Sequence, residues 1–146
     1  MKSIAVSACL LGQACRYDGR SKPNKAVIDL GDIFNIIPIC PETLGGLSTP
    51  RIPSEIKGEK VVRRDGVDVT AEYEKGAMAA LEICQKNNVC AAVLKERSPA
   101  CGKDMIYDGN FDGTLISGSG IAAKALMNNG IAVYGESEVN KLLEEI

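Results

Sequence analysis

Three cysteines of this chain, Cys9, Cys40 and Cys101, each follow an apolar stretch that reads as a β-strand. In an open sheet of parallel strands the carboxyl ends face one crevice, and that crevice is where ligands bind. Three segments far apart in sequence would then bring three thiolates to one place. Such soft donors hold a metal centre, and a set one short of four leaves a coordination position open. Cys15, six residues beyond Cys9, offers a fourth thiol. With it the site is a closed, structural Cys₄ zinc site. Without it the site is an iron–sulfur cluster with one iron free to act as a Lewis acid toward a soft atom such as sulfur. No C-x₂-C pair marks a local metal knuckle, so a set of unrelated buried thiols is a third reading. It is the reading adopted for Cys84 and Cys90, which lie in or beside helix and strand patterns.

Polar residues flank the same cysteines. Glu42 stands two residues after Cys40, and Ser98 three before Cys101. A carboxylate there would transfer protons or position water. A serine there would hold a substrate group by hydrogen bond, or cap a turn before Pro99. Arg16, Lys22, Arg51 and Lys95 lie on the strand-end loops and suit a phosphate or carboxylate on a substrate. Asp18 suits a ring N–H. Gly45, in the Gly45-Gly46 pair after Cys40, is placed with these substrate-facing positions.

Composition narrows the chemistry. There is no histidine, which excludes Cys₂His₂ zinc, Ser-His-Asp triads and Cys-His nucleophile pairs. The net charge is −2 and aromatic residues make up 4% of the chain. A partner that is a nucleic-acid polymer is therefore not expected, for want of a basic track and of stacking platforms. Six cysteines in 146 residues are many, but a disulfide-stapled mini-protein would be shorter and dominated by loops. The apolar run before Cys9 is shorter than the roughly 7–15 residues of a signal-peptide core. No segment reaches the ~18 apolar residues of a membrane span. A cytoplasmic chain with reduced thiols is expected, with no membrane partner. Its oligomeric state is left open.

The elements that must position these groups follow from periodicity. Residues 3–8, 35–39, 89–94 and 131–134 read as strands; the run at 89–94 is apolar on both faces, as in a parallel sheet. Residues 25–30, 71–86, 120–129 and 136–145 read as helices, with Thr70 as an N-cap. Residues 43–60, with two prolines and a Gly-Gly pair, read as a long loop, and Asp65-Gly66 as a hairpin turn. The alternation predicts an α/β fold: three layers, one domain, a mostly parallel sheet of about four strands flanked by helices, Rossmann-like. "GSGIAA" at 118–123 fits the G-x-G-x-x-G/A dinucleotide pattern. It follows a short strand late in the chain, so a phosphate at this helix N-terminus is a better reading than NAD.

Taken together, "SACLLGQACRYDG", "CPETLGGLSTPR" and "LKERSPACG" closely resemble the signature blocks of the DUF523 family, the thiouracil desulfidases. The trailing "GSGIAAKALMNNGIAVYGESE" is similar to the family's C-terminal part. The resemblance spans almost all of residues 1–146. It implies a [4Fe–4S] cluster held by Cys9, Cys40 and Cys101, with Cys15 outside the ligand set. It also implies roles for Glu42 and Ser98 in catalysis. The activity implied is removal of sulfur, without net redox change, from a small thiopyrimidine base or nucleotide, with release of hydrogen sulfide. A non-catalytic Cys₄ zinc module or a nucleotide-binding module is the alternative.

Overall fold

The structure, a computed structural model, describes all 146 residues. Four short, apolar strands form the central sheet: β1 (Ser3–Ser7), β2 (Asn35–Ile39), β5 (Ala91–Leu94) and β8 (Ala132–Gly135). Their order is β2-β1-β5-β8 and every pair is parallel. Parallel neighbours need crossovers. These are supplied by α1 (Lys25–Asp29), α3 (Thr70–Lys86) and α4 (Ile121–Asn128), and α5 (Val139–Glu145) closes the chain. The expected three-layer architecture is the one observed.

Strand periodicity sorts the core into two layers. Ala5, Ala92, Leu94 and Val133 face α3 and α4, packing with Ala80, Leu81 and Leu126. Ile4, Val6, Ala91 and Val93 face the other way, onto Val27, Leu30 and Leu142. Alternate residues of a strand point to opposite faces, so a strand covered on both sides must be apolar throughout. Each fully buried Leu or Val contributes roughly 1.5–3 kcal/mol.

Two expectations are corrected. The stretch 43–60 is not all loop: it begins in the last residues of α2 (Pro41–Leu44) and contains β3 (Ser54–Lys57), which pairs antiparallel with β4 (Lys60–Arg63) around Gly58 at φ +63°. Asp65-Gly66 makes the expected hairpin turn, returning the chain antiparallel to β4 with a bridge between Val62 and Asp68. Arg63 N–H donates to Val67 O (2.8 Å) and Val69 N–H to Val61 O (2.9 Å). Thr70 is not an N-cap. Its Oγ1 accepts from Val61 N–H at 2.9 Å, tying α3 to β4. A second hairpin, β6 (Met105–Tyr107) with β7 (Leu115–Ser117), follows β5. Glu55 latches the two hairpins together, accepting from Gly109 N–H (3.0 Å) and Phe111 N–H (3.1 Å). No helix is long and apolar enough to cross a membrane.

Candidate active site at the carboxyl ends of the strands

The chain leaves β1 toward β2 on one side and returns to β5 on the other, so the crevice at the carboxyl end of β1 is a topological switch point. A cavity of about 560 Å³ opens there, and Cys9, Cys15, Cys40 and Cys101 all line it. Cys9 lies in the 3₁₀ turn after β1, Cys40 between β2 and α2, and Cys101 beyond β5. All are free thiols; Cys9 and Cys101 are buried, Cys15 and Cys40 half-buried. Cys15 and Cys40 are in side-chain contact, and Cys15 also meets Cys9. Burial pushes the Cys101 thiol up to about 12. The hydrogen bond with Cys15, and then burial, raise Cys40. Cys15 is raised too: its contact with Cys40 works downward, but Cys9 and burial outweigh it. No three His, Cys, Asp or Glu side chains close around one ion-sized point, which is the convergence a Cys₄ zinc site needs.

Glu42 sits in the first turn of α2 and lines the cavity. Its Oε1 accepts from the Tyr73 hydroxyl at 2.6 Å, and its Oε2 is paired with Arg51. The Arg51 fork also donates to Cys15 O (2.9 Å), Ser48 O (3.0 Å) and Thr49 Oγ1 (3.1 Å). Arg51 Nε–H is buried with no acceptor. Ser98 lines the cavity as well, and its Oγ accepts from Ala100 N–H and Cys101 N–H, both at 3.1 Å. It is therefore a turn cap that shapes the Cys101 loop, with its own hydroxyl hydrogen left to donate.

The remaining expected residues divide. Arg16 and Lys22 line the cavity and pair with no carboxylate. Lys95 lines it too, but its ammonium is held by Glu136 at 2.8 Å. Arg51 is committed to Glu42. Asp18 does not reach the cavity; it is exposed and accepts from Arg20 N–H within its own loop. Gly45 does not line the cavity either. It is buried against α3, where an added Cβ would fall 2.0 Å from Glu72 O, while a Cβ on Gly76 would fall 1.8 Å from Pro41 O. The two glycines let α2 and α3 touch backbone to backbone.

"GSGIAA" serves the site indirectly. The N–H groups of Ile121 and Ala122 donate to Pro99 O and Ala100 O, both at 2.9 Å, so the α4 N-terminus is capped by the Cys101 loop and not left for a phosphate. A Cβ on Gly120 would collide with the Ala100–Cys101 backbone at 2.5–2.8 Å. Tyr73, Arg64, Arg97 and Phe111 also line the cavity and were not foreseen. Tyr73 shares the apolar stripe of α3 and reads as core. Phe111 lies on the unforeseen hairpin of β6 and β7, and Arg64 follows strand β4. Arg97 and Phe111 are non-glycine residues at positive φ, +71° and +56°, a strained conformation that clusters at functional sites.

Residues 4–138 match the family model described as 2-thiouracil desulfurase. The chain belongs to the 2-thiouracil desulfurase family. An uncharacterized protein of Bacillus subtilis (strain 168), YbbK, is 41% identical over 150 residues, covering 96% of this chain and 99% of YbbK. A solved structure of a [4Fe-4S]-dependent thiouracil desulfidase, TudS (DUF523Vcz), superposes with a TM-score of 0.94 at 44% identity. That match covers 99% of this chain and 97% of TudS. Within this desulfurase family, the thiol-lined cavity at the switch point is the candidate active site of the present chain.

Proposed function

We propose that this desulfurase family member converts a thiolated uracil or its nucleotide (4-thiouracil, 2-thiouracil or 4-thio-UMP) to uracil or UMP. The balance is C=S + H₂O → C=O + H₂S, with no electrons exchanged. The reading rests on one observation above all: three free thiols from the ends of three parallel strands line one cavity beside a carboxylate. Its support is the likeness to a protein that carries a [4Fe–4S] cluster and acts on thiouracil.

The donor set fits that cluster. Cys9, Cys40 and Cys101 would each supply a thiolate to a different iron of the cubane, and all three line the one cavity. The partnerless Arg51 Nε–H offers a donor for a bound acceptor. Bound there, the cluster supplies an iron without a protein ligand, a Lewis acid for the thiocarbonyl sulfur.

The chain's own groups do the rest. Glu42 holds the attacking water and takes its proton at a carboxylate oxygen. Ser98 donates its free hydroxyl hydrogen to the ring. Arg16, Lys22, Arg64 and Arg97 line the mouth without carboxylate partners, and they hold the phosphate of a nucleotide substrate.

The test is anaerobic purification, metal and sulfide analysis, and a sulfide-release assay with 4-thiouracil and 4-thio-UMP. About four irons with matching sulfide per chain are expected, with sulfide formed in equal amount to uracil or UMP. Cys40→Ala should lose the iron. About one zinc and no iron, or no sulfide from either substrate, would overturn the reading.

A further inference from the structure

We infer that Tyr73 and Arg51 are positioning residues that clamp Glu42, fixing the carboxylate at the angle from which it handles water. The inference rests on the reading of Glu42 just given. Glu42 rides on a helix of only four residues, Pro41–Leu44, which alone cannot hold a side chain rigidly. Three features restrain it. The Gly45–Gly76 contact seats α2 directly on α3. Tyr73, three residues before Gly76 on α3, is buried at 3% exposure and spends its hydroxyl on Glu42 Oε1 at 2.6 Å. Arg51 takes Oε2, and its own fork is anchored to three further acceptors, Cys15 O, Ser48 O and Thr49 Oγ1. Both carboxylate oxygens are thus held, one by a side chain of helix α3 and the other by a side chain of the loop before β3.

The partners suit a fixed clamp. Burial, and then the Glu42 charge, push the Tyr73 hydroxyl far above the ordinary phenol range, so it remains a donor. A guanidinium is permanently charged and its planar fork can bond several acceptors at once, which an ammonium cannot reproduce. Preorganisation of this kind acts on the chemical step more than on substrate affinity.

A double-mutant cycle tests it. Tyr73→Phe deletes one oxygen and keeps the ring. Iron content and the visible spectrum of the cluster should match wild type, and kcat for 4-thiouracil should fall roughly ten- to hundredfold with KM within about twofold. In a Glu42→Gln background the same change should add no further loss, because the group it positions is gone. Arg51→Lys should repeat the pattern, and it carries the cycle if Tyr73→Phe does not fold. Wild-type turnover in both single variants, with Glu42→Gln inactive, overturns the clamp and leaves the role of Glu42 standing. Wild-type turnover in Glu42→Gln overturns the role of Glu42 itself. Losses that add in the Glu42→Gln background overturn the clamp by giving Tyr73 a separate task.

Discussion

A thiol withdrawn from water holds its proton more tightly, because the thiolate loses solvation that the neutral form does not need. Cys101 is the clearest case, raised by burial from an ordinary 9.0 to about 12. Its native value lies above its unfolded value. The native chain therefore binds more protons between these two values, and stability falls as pH rises through them. The contribution is complete below about pH 9 and lost by about pH 12. In cluster-free protein, the unfolding free energy of the wild type should drop more steeply over this window than that of Cys101→Ala. Urea unfolding at stepped pH measures both slopes, and equal slopes would mean that Cys101 does not titrate this way. The same physics bears on loading. Thiolate ligands must shed their protons to bind metal, so Cys40, raised by its hydrogen bond with Cys15 and by burial, and Cys101, raised by burial, give up protons as the cluster enters.

At the scale of elements, the close approach of α2 and α3 is decided by two hydrogens. Gly76 lies inside a 17-residue helix, where helix propensity alone favours alanine by about 1 kcal/mol. The structure reverses that sign: the added methyl would meet Pro41 O at 1.8 Å and Gly45 N at 3.1 Å, both backbone atoms. Gly76→Ala should therefore destabilise by about 1–3 kcal/mol. Its turnover should drop as well, because Glu42 moves with α2. A rise in unfolding free energy would show that the two helices are not packed as described. The same seam explains why Gly45 was misread from sequence: a glycine that lets helices touch and one that lets a ligand approach look alike in one dimension. The four sheet strands were legible because parallel strands covered on both faces are apolar throughout. β3, β6 and β7 were not: they are only three or four residues long and partly exposed, and the two hairpins are joined by Glu55 accepting from backbone 54 and 56 residues away. Cys9, Cys40 and Cys101 were legible because strand ends converge. Tyr73 was not, since an aromatic in a helical stripe with Ala77, Ala80 and Leu81 is indistinguishable from core until its hydroxyl finds a partner.

Across the whole molecule, charge is distributed against the average. The chain carries −2 overall, and part of its charge is neutralised locally, as Lys95 is by Glu136 and Lys103 by Glu138. At the cavity the cations outnumber the carboxylates among the lining residues. Arg16, Lys22, Arg64 and Arg97 line it and make no salt bridge, and Arg64 and Arg16 lie 5.5 and 5.8 Å from the Phe111 and Tyr17 ring centres. An excess of positive charge at a concave opening attracts an anion and leaves a neutral ring indifferent. The proposed function then separates two substrates by one variable. Raising ionic strength from about 0.01 to 0.15 M shortens the screening length from about 30 to 8 Å. KM for 4-thio-UMP should rise severalfold over that range, while KM for 4-thiouracil stays flat. Lys22→Glu should raise KM for the nucleotide by about tenfold, corresponding to roughly 1.4 kcal/mol, and leave the free base and the iron content untouched. Steady-state assays of both substrates on both proteins make the comparison. If base and nucleotide respond alike, the mouth cations do not grip a phosphate. The nucleotide would then owe its binding to the ring alone, and the unpaired charges would need another ligand.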